Sequence, residues 1–340
     1  MSSTADPRSN EPLFFGVPDS HGPQSPPRDL DLSSRWGVIL AGGEGKRLLS
    51  LTRKITGDDR PKQFCALTGV ETLLEQTRRR VSQVVAERHA LLILTKTHER
   101  FYKDQLRGVP ARNLLVQPFS RGTAPAIAYS LTHLNSVDRE ALVGFFPSDH
   151  HFESDGAFAV AVSEAFEHVA MHGDHVLLLG IAPESPEESY GWIEPGARLH
   201  STAGGSVFEV RRFWEKPSRE TAKQLMRAGG LWNTFIMVGR VRAFLSLIRH
   251  SLPDLLAPFE SMWAAMQPGT EDSVLENLFS KIPTSNFSHD VLSAHPSGLT
   301  VFCVHGLGWA DLGEPERVLS TLQFARRRAA NRRHSRVSNG

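Results

Sequence analysis

The sequence predicts an α/β fold, in which a Rossmann-like, mostly parallel twisted sheet is flanked by helices. Short apolar runs alternate with longer amphipathic stretches through the first 180 residues, and glycines follow the first apolar run directly. Such alternation is typical of βαβ units with right-handed crossovers. Ligands of these sheets gather beyond the carboxyl ends of the strands, so polar residues that follow the apolar runs are the candidate site residues.

The individual elements follow from this alternation up to about residue 185. Predicted strands cover 37–41, 91–95, 113–117, 141–146 and 175–181, and the helices between them cover 71–86, 97–106, 123–135 and 155–172. Later, strands are predicted at Tyr190–Glu194, Val207–Val210 and Thr300–Val304, with a turn-rich segment from Pro195 to Gly205 and a terminal helix after Asp311. Further helices are predicted at 218–227, 240–250, 254–266 and 272–281.

Composition limits the class of protein. The 340 residues carry a formal charge of +1, with 40% apolar and 22% charged residues, as in an ordinary globular protein. No apolar run approaches the roughly 20 residues of a membrane span, and no secretory h-region opens the chain. The two cysteines, Cys65 and Cys303, suit a reducing compartment. We therefore expect a cytoplasmic protein that has no membrane or nucleic-acid partner.

Both ends of the chain differ from its centre. Residues 1–33 are rich in Pro, Ser, Asp and Arg and show little periodicity, which predicts a disordered tail. Residues 326–340 are strongly basic and are predicted to be a second disordered tail. Its arginines are interpreted as solvated, with RNA or an acidic membrane surface as the alternative partner. The folded domain is expected to cover 34–325.

The segment after the first predicted strand indicates a phosphate-binding loop. Glycines there let backbone N–H groups approach a phosphate closely, and the cations Arg47 and Lys62 follow them. Arg47 replaces the hydroxyl of a P-loop, and the third glycine of a dinucleotide loop is missing. The candidate residues of the loop are Ala41, Gly42, Gly43, Gly45, Arg47 and Lys62.

An acidic residue, Asp149, follows the apolar strand at 141–146. A carboxylate at the end of a strand, facing phosphate oxygens, is a natural ligand for Mg²⁺. The alternative is that Asp149 caps the next helix.

Two of these motifs resemble a known family. Ala41–Leu48 (AGGEGKRL) and Arg60–Phe64 (RPKQF) resemble the opening of sugar-1-phosphate nucleotidylyltransferases, and the Pro-Lys-Gln-Phe wording resembles the mannose-1-phosphate guanylyltransferase branch. The resemblance covers roughly residues 35–315, and the sequence beyond it is too short for the isomerase or β-helix domains of some relatives. It implies a nucleotide-binding half at about 34–182 and a sugar-phosphate-binding half, or sugar-binding lobe, at about 183–325.

The resemblance assigns nucleotide-binding residues. Gln117–Pro125 resembles the base-recognition segment of the family, although Gln117 and Gly122 depart from its wording. Thr123 is open to two interpretations, base recognition or the N-cap of a helix. The implied nucleotide-binding residues are Ala41, Gly42, Gly43, Gly45, Gln117, Thr123 and Asp149.

The sugar-phosphate residues come from the second half of the chain. Pro217 favours an extended conformation at Lys216, which would hold the ammonium toward a phosphate. Trp192 stands where the family has a second tyrosine, and Phe235 stands where it has a glycine. The implied sugar-phosphate-binding residues are Tyr190, Gly191, Glu194, Glu215, Lys216 and Asn233.

The resemblance also implies the reaction. It makes Asp311, in Gly308–Gly313, the second Mg²⁺ ligand beside Asp149; the alternative for Asp311 is a helix cap. Arg47, Lys62 and Lys216 are the expected catalytic residues for transfer from GTP to mannose 1-phosphate, with release of pyrophosphate. The alternatives are UTP or dTTP with another hexose 1-phosphate, or a catalytically silent regulator that binds nucleotide sugars. The expected partners are the two small substrates, and a homodimer is left open.

Overall fold

The structure is a computed structural model that describes residues 34–265 and 270–321 of the chain. The predicted tails at 1–33 and 326–340 lie outside the described residues. None of the helices described has both the length and the apolar character needed to cross a lipid bilayer.

The strands and helices alternate as follows. The strands are β1 (Arg35–Leu40), β2 (Ala90–Thr95), β3 (Leu114–Gln117), β4 (Leu142–Pro147), β5 (His150–Phe152), β6 (Val176–Ile181), β7 (Gly191–Ser201), β8 (Gly205–Glu215), β9 (Leu231–Arg240), β10 (Leu299–Val304) and β11 (Trp309–Asp311). The helices are α1 (Leu49–Thr56), α2 (Leu73–Val81), α3 (Glu99–Tyr102), α4 (Thr123–Val137), α5 (Asp155–His172), α6 (Arg219–Arg227), α7 (Val241–Ser251), α8 (Pro253–Ala265) and α9 (Glu271–Lys281). A further helical stretch covers 315–321.

A nine-stranded mixed sheet forms the centre of the described chain, in the order β3-β2-β1-β4-β9-β6-β10-β8-β7. Neighbouring pairs show that β8 and β9 run against the direction shared by the other strands. This arrangement confirms the predicted mostly parallel sheet flanked by helices.

The apolar run of β1 shows why such strands form. Val38 packs on one face of the sheet with α4, α7, α8 and α9, whereas Ile39 packs on the other face with α2 and α5. A strand buried on both faces needs apolar side chains at every position, because successive side chains point to opposite faces. The continuous apolar runs of the first half therefore predict their strands well.

The second half of the sheet corrects several predictions. Strand β9 was not predicted, although it pairs antiparallel with both β4 and β6. The predicted turn-rich segment from Pro195 to Gly205 is wrong, because β7 continues to Ser201 and only 202–204 separate it from β8. Pro195 is tolerated because β7 is at the edge of the sheet order and its pairing with β8 shifts register there.

Two helices of the first half are shorter than predicted. The helix predicted at 71–86 covers only Leu73–Val81, and the one predicted at 97–106 is a 3-10 turn at Lys96–His98 followed by the four-residue α3. Element ends are the least certain part of a pattern-based prediction.

A second, two-stranded sheet joins the two halves of the chain. β5 and β11 pair antiparallel, with Asp311 opposite His150. Because β5 follows β4 after only two residues, this pairing brings the segment that contains Asp311 to the carboxyl end of β4. The small sheet thus places two distant acidic residues at one edge of the large sheet.

Candidate active site

A cavity of about 400 Å³ lies at the carboxyl ends of β1, β3 and β4, and residues of both halves line it. Most of the predicted site residues meet there: Gly42, Gly43, Arg47, Gln117, Thr123, Asp149, Tyr190, Gly191, Glu215, Lys216, Asn233 and Asp311. The remaining predicted residues are not part of the described lining: Ala41, Gly45, Lys62 and Glu194.

The glycine-rich loop after β1 is held tightly at one position and open at the next. A Cβ atom on Gly42 would lie 2.8 Å from Gln117 Nε2 and 2.9 Å from Thr95 Oγ1, so only glycine fits. A Cβ atom on Gly43 would meet nothing within 4 Å, because this residue faces open space. Gly45 has φ 60°, a left-handed conformation that glycine adopts without strain. The loop therefore exposes its backbone toward the cavity, as phosphate binding requires.

Gln63 supports this loop and was not assigned a role from the sequence. Its Nε2 donates hydrogen bonds to the carbonyl oxygens of Ala41 (3.1 Å) and Gly43 (2.7 Å). The side chain is buried, so each lost bond would leave an unsatisfied carbonyl. Gln63 stands in the quoted RPKQF motif, but a neutral amide gives no sign of which backbone atoms it will reach.

Asp149 and Asp311 meet at one cation. The Lys62 ammonium lies 3.1 Å from Asp149 Oδ2 and 3.1 Å from Asp311 Oδ1, and it donates a hydrogen bond to Leu312 O at 3.0 Å. Burial disfavours the charged ammonium, but the two carboxylates raise the pKa of Lys62 above its usual value. Burial likewise opposes ionisation of Asp311, yet Lys62 and His150 lower its pKa. Lys62 and Asp311 therefore stabilise each other's charged forms.

The helix-cap alternatives for both acids are wrong. β5 follows Asp149 directly, and the N-cap of α5 is Ser154, whose side chain accepts a hydrogen bond from Ala157 N. The helical stretch at 315–321 begins after Glu314, whose carbonyl accepts bonds from the backbone of residues 317 and 318. Neither aspartate caps a helix, so both carboxylates can contact a ligand in the cavity.

Arg47 is an exposed cation of the loop that also lines the cavity. Its Nη1 donates a hydrogen bond to Glu314 Oε1 at 2.7 Å, across 267 residues of sequence. Both side chains are well exposed, so this ion pair contributes little stability. Arg47 lines the cavity while held by a carboxylate that an anionic ligand could replace.

Gln117 and Thr123 occupy the side of the cavity next to β3 and α4. Gln117 is 2% exposed, and its Oε1 has no hydrogen-bond partner among the described residues. The helix-cap interpretation of Thr123 is wrong, because Gly122 occupies the N-cap position of α4 with φ 92°. Thr123 Oγ1 instead accepts a hydrogen bond from Phe287 N at 2.8 Å, in the π-helical turn Phe287–Leu292. This turn was not predicted.

Glu215, Gly191 and Asn233 meet at a part of the cavity lining that β7, β8 and β9 contribute. A Cβ atom on Gly191 would lie 3.3 Å from Glu215 Oε2 and 3.4 Å from Asn233 Cβ. Burial raises the pKa of Glu215, against the opposing effect of Lys216, whose ammonium is 3.6 Å from Glu215 Oε1. The Ser288 hydroxyl also bonds to this carboxylate. The group is polar and crowded, which suits recognition of hydroxyl groups.

The backbone at Lys216 differs from the prediction. The residue has φ 48°, so the extended conformation expected from Pro217 is wrong. Its N–H donates to Tyr190 O at 3.2 Å, and this bond fixes the bend at the end of β8. A tertiary hydrogen bond has overridden the local preference.

Three further residues of the second half have structural contacts. Glu194 accepts a hydrogen bond from Trp214 Nε1 and pairs with Arg211, both at 3.4 Å. Trp192 is fully buried and donates from Nε1 to Glu187 O at 2.7 Å. Burial raises the pKa of Tyr190, whose ring packs edge-on against two tryptophans. Trp192 thus supports the chain beside the cavity.

Comparisons with known proteins agree with this geometry. The family described as "Nucleotidyl transferase" matches residues 36–328. The alginate biosynthesis protein AlgA of Pseudomonas aeruginosa is 32% identical over 285 residues, which cover 81% of this chain and 56% of that protein. Mannose-1-phosphate guanylyltransferase of Klebsiella pneumoniae is 30% identical over 283 residues, which cover 81% of this chain and 57% of that protein. The chain thus spans somewhat more than half the length of these relatives.

A solved structure extends the comparison to the fold. The crystal structure of mannose-1-phosphate geranyltransferase from Thermus thermophilus superimposes with a TM-score of 0.72 and 28% sequence identity. The match covers 84% of this chain and 79% of the other. The predicted family membership is confirmed: this chain belongs to the nucleotidyl transferase family.

Proposed function

We propose that this chain transfers a guanylyl group from GTP to mannose 1-phosphate, forming GDP-mannose and releasing pyrophosphate. The names of two relatives, mannose-1-phosphate guanylyltransferase of Klebsiella pneumoniae and of Escherichia coli K12, support this choice of substrates. The observation that carries the proposal is the meeting of Asp149 and Asp311 at Lys62, beside a cavity with cations on two of its sides.

The reaction itself needs no side-chain nucleophile. A phosphate oxygen of mannose 1-phosphate attacks the α-phosphorus of GTP, the bond from that phosphorus to the bridging oxygen of the β-phosphate breaks, and pyrophosphate leaves with the electron pair. The attacking oxygen is already an anion, so no base has to remove a proton. The obstacle is the repulsion between two anions, and positioning with fixed positive charge lowers it.

The nucleotide is expected to bind across the glycine-rich loop. The open backbone at Gly43 faces the cavity, and Gln63 holds the carbonyl oxygens on either side of Gly42. Gln117 Oε1 is a buried acceptor without a partner among the described residues, which suits an N–H group of guanine. A buried acceptor without a partner costs free energy, and a base that donates a hydrogen bond to Gln117 Oε1 would remove this cost. The site therefore favours a base with an N–H group at that position.

The residues present fit a magnesium ion. Asp149 and Asp311 offer hard oxygen donors that converge at one point and line the cavity, which is the donor type that Mg²⁺ prefers. We propose that these two carboxylates hold Mg²⁺, which when bound would neutralise charge on the phosphates of both substrates. Lys62 already neutralises part of the charge of the carboxylate pair, so the pair stays together before any ion arrives.

Three cations, Arg47, Lys216 and Lys62, were predicted to contact phosphate groups. Arg47 is expected to hold the triphosphate and the departing pyrophosphate, exchanging the Glu314 carboxylate for phosphate oxygens. Lys216 is expected to align the attacking phosphate, since it is exposed and close to the hydroxyl-binding group around Glu215. Lys62 was also predicted to hold the triphosphate; its ammonium lies on the two aspartates, and a contact with phosphate stays a prediction.

The sugar is expected to bind between Gly191, Glu215 and Asn233. Glu215 can accept hydrogen bonds from hydroxyl groups, and Asn233 can donate and accept. Tyr190 and Glu194 were predicted to share this subsite. Tyr190 lines the cavity, whereas Glu194 lies on β7 beside Arg211, and a role for it in sugar binding stays a prediction.

The location and assembly also remain part of the proposal. A cytoplasmic location suits the two free cysteines, because a reducing compartment keeps thiols unpaired. Burial raises the pKa of the Cys65 thiol to about 12 and of the Cys303 thiol to about 11, which makes both thiols poor nucleophiles. The homodimer stays a prediction.

The decisive experiment is a substrate panel. GTP, ATP, UTP and dTTP are each combined with mannose 1-phosphate and glucose 1-phosphate, and pyrophosphate release is measured with Mg²⁺ present. GTP with mannose 1-phosphate is expected to give the highest kcat/KM. A preference for UTP or dTTP would show that the proposed nucleotide is wrong and that the proposed reaction is right. Binding of nucleotide sugars without turnover would identify a catalytically silent regulator.

A further inference from the structure

Two residues other than glycine have a left-handed backbone in the described part of the chain, Lys216 at φ 48° and Phe235 at φ 59°, and both line the cavity. A side chain with a Cβ atom is disfavoured there, especially a bulky one. Strained residues persist where the surrounding structure fixes them, and they gather at functional sites. Phe235, which no part of the proposed reaction uses, is therefore a candidate for a functional role.

The neighbours of Phe235 impose its conformation. Asn233 Oδ1 accepts a hydrogen bond from Phe235 N at 3.1 Å. Thr234 Oγ1 donates to Leu179 O at 2.7 Å and accepts from Ile236 N at 3.2 Å. The pairing of β9 with β6 shifts register at this point. These bonds fix the backbone whatever residue stands at position 235, so the strain belongs to the phenylalanine and not to the strand.

A glycine at this position would remove the strain, so the ring is retained at a cost in stability. The Phe235 side chain is partly buried, and it packs against the core on the face of the sheet that carries α4. It also lines the cavity two residues after Asn233, which itself lies next to Gly191 and Glu215. The ring therefore forms an apolar wall of the part of the cavity that we assign to the sugar.

We propose that Phe235 determines sugar specificity: it admits hexose 1-phosphates that carry only hydroxyl groups and excludes those that carry an N-acyl group. This inference rests on the proposed function. An acetamido group placed against the ring would lose hydrogen bonds to water without gaining a partner, and it would compete with the ring for volume. One methylene more or less in an apolar pocket is commonly worth about 10–200-fold in discrimination, and the acetamido group is larger than a methylene.

The test compares mannose 1-phosphate with N-acetylmannosamine 1-phosphate, which differ only in the group on C2, both with GTP, on the wild type, Phe235→Gly and Phe235→Ala. The wild type is expected to prefer mannose 1-phosphate in kcat/KM by about 100-fold. Both variants should reduce this preference about 10-fold or more, with the KM for GTP unchanged. A preference that stays at the wild-type value in both folded variants would overturn the assignment.

A second measurement separates strain from loss of the ring. At position 235 the glycine variant should melt about 2–4 °C above the alanine variant, because both lack the ring but only alanine keeps the strained Cβ atom. Phe101 is the matched control: it is also partly buried, but it lies in α3 and outside the cavity lining. There the order should reverse, since glycine destabilises a helix. A glycine variant at 235 that melts below the alanine variant would refute the strain argument.

The outcomes distinguish this inference from the proposed function. If the wild type releases no pyrophosphate from GTP with any hexose 1-phosphate, the proposed function fails and the specificity assignment fails with it. If the wild type is active and the preference does not change at position 235, only the role of Phe235 is overturned. The Phe101 variants should keep the wild-type preference, and a change there would show that any lost ring alters specificity.

Discussion

The two halves of the domain build their sides of the cavity differently. In the first half, short parallel strands are buried on both faces, and the site residues Gly42, Gln117 and Asp149 lie at or just beyond strand ends. In the second half, long antiparallel strands carry Asn233 within β9 and Glu215 as the last residue of β8. In the first half, polar and charged residues reach the cavity because the strands end beside it. In the second half, the backbone departs from regular strand geometry at the cavity, since both left-handed residues, Lys216 and Phe235, lie there.

The largest expected effect concerns Asp149 and Asp311, the two carboxylates that come from different halves of the domain and meet at Lys62. Asp311→Asn and Asp149→Asn should each reduce kcat about 10³-fold, because each removes one of two converging carboxylates and leaves Lys62 with a single carboxylate partner. The effects should not add in the double variant, since both residues contact the same ammonium. Pyrophosphate release and Mg²⁺ titrations measure this. Asp104→Asn, at an exposed carboxylate paired with Arg107, is the control, and near-normal kcat in the site variants would refute the shared site.

The next effect belongs to the second half alone. Lys216→Ala should reduce kcat about 10²-fold at saturating mannose 1-phosphate, because the proposed role of this cation is to act on the attacking phosphate and not only on binding. Lys216→Arg should recover part of the loss, since it keeps the charge. If Lys216→Ala turned over substrate at close to the wild-type rate, this lysine would have no part in catalysis.

A pH-dependent effect tests the packing between the halves. His168 of α5 stacks on His200 of β7, with ring centres 4.6 Å apart, and it also stacks on His172. Burial, together with His200, His172 and His175, lowers the pKa of His168 from 6.5 to about 4. Because the folded-state pKa is depressed, its contribution to stability is complete above pH 6.5 and is lost as the pH falls toward 4.

This contribution can be measured by denaturant unfolding. Between pH 7 and pH 5 the wild type should lose about 2 kcal/mol of unfolding free energy more than His168→Gln does. His250→Gln serves as the control, because His250 is an exposed histidine of α7. If the wild type and His168→Gln lost the same unfolding free energy between pH 7 and pH 5, the contact of His168 with His200 would not be the source of this pH dependence.

The smallest effect concerns the ion pair between Arg47 and Glu314. Glu314→Gln should lower the KM for GTP about two- to fivefold, because the triphosphate no longer displaces a carboxylate from Arg47. The kcat should hardly change. Glu71→Gln, at another exposed carboxylate, provides the comparison. A raised KM would mean that Glu314 instead holds Arg47 in its binding position.

The sequence predicts the first half well for a physical reason. A strand buried on both faces is a continuous apolar run, and the residue after it is at the sheet edge, so Asp149 and the loop at Gly42 could be located from pattern alone. The strand β9 was missed, although Phe235–Gly239 is a short apolar run, because Asn233 and Thr234 interrupt the apolar residues of Leu231–Arg240 and Phe235 is left-handed. Its neighbours β4 and β6 are distant in sequence, and pattern does not reveal long-range pairing.

The site residues divide in the same way. Charged residues in quoted motifs, such as Arg47 and Asp311, could be named because charge and spacing carry meaning on their own. The contacts that give them their setting could not: Lys62 on the two aspartates and Gln63 on the loop carbonyls depend on tertiary distances. The backbone of Lys216 was predicted wrongly because a hydrogen bond to Tyr190 outweighs the local effect of Pro217.

The short ribbon formed by β5 and β11 has a consequence for synthesis on the ribosome. The second carboxylate joins the first only when residues 309–311 have left the exit tunnel and paired with β5. Until then a nascent chain would contain the glycine-rich loop and Asp149 but would lack Asp311 beside them. On the proposed function, turnover has to wait for this pairing, and cutting the chain ahead of β11 should abolish turnover while leaving most of the sheet intact.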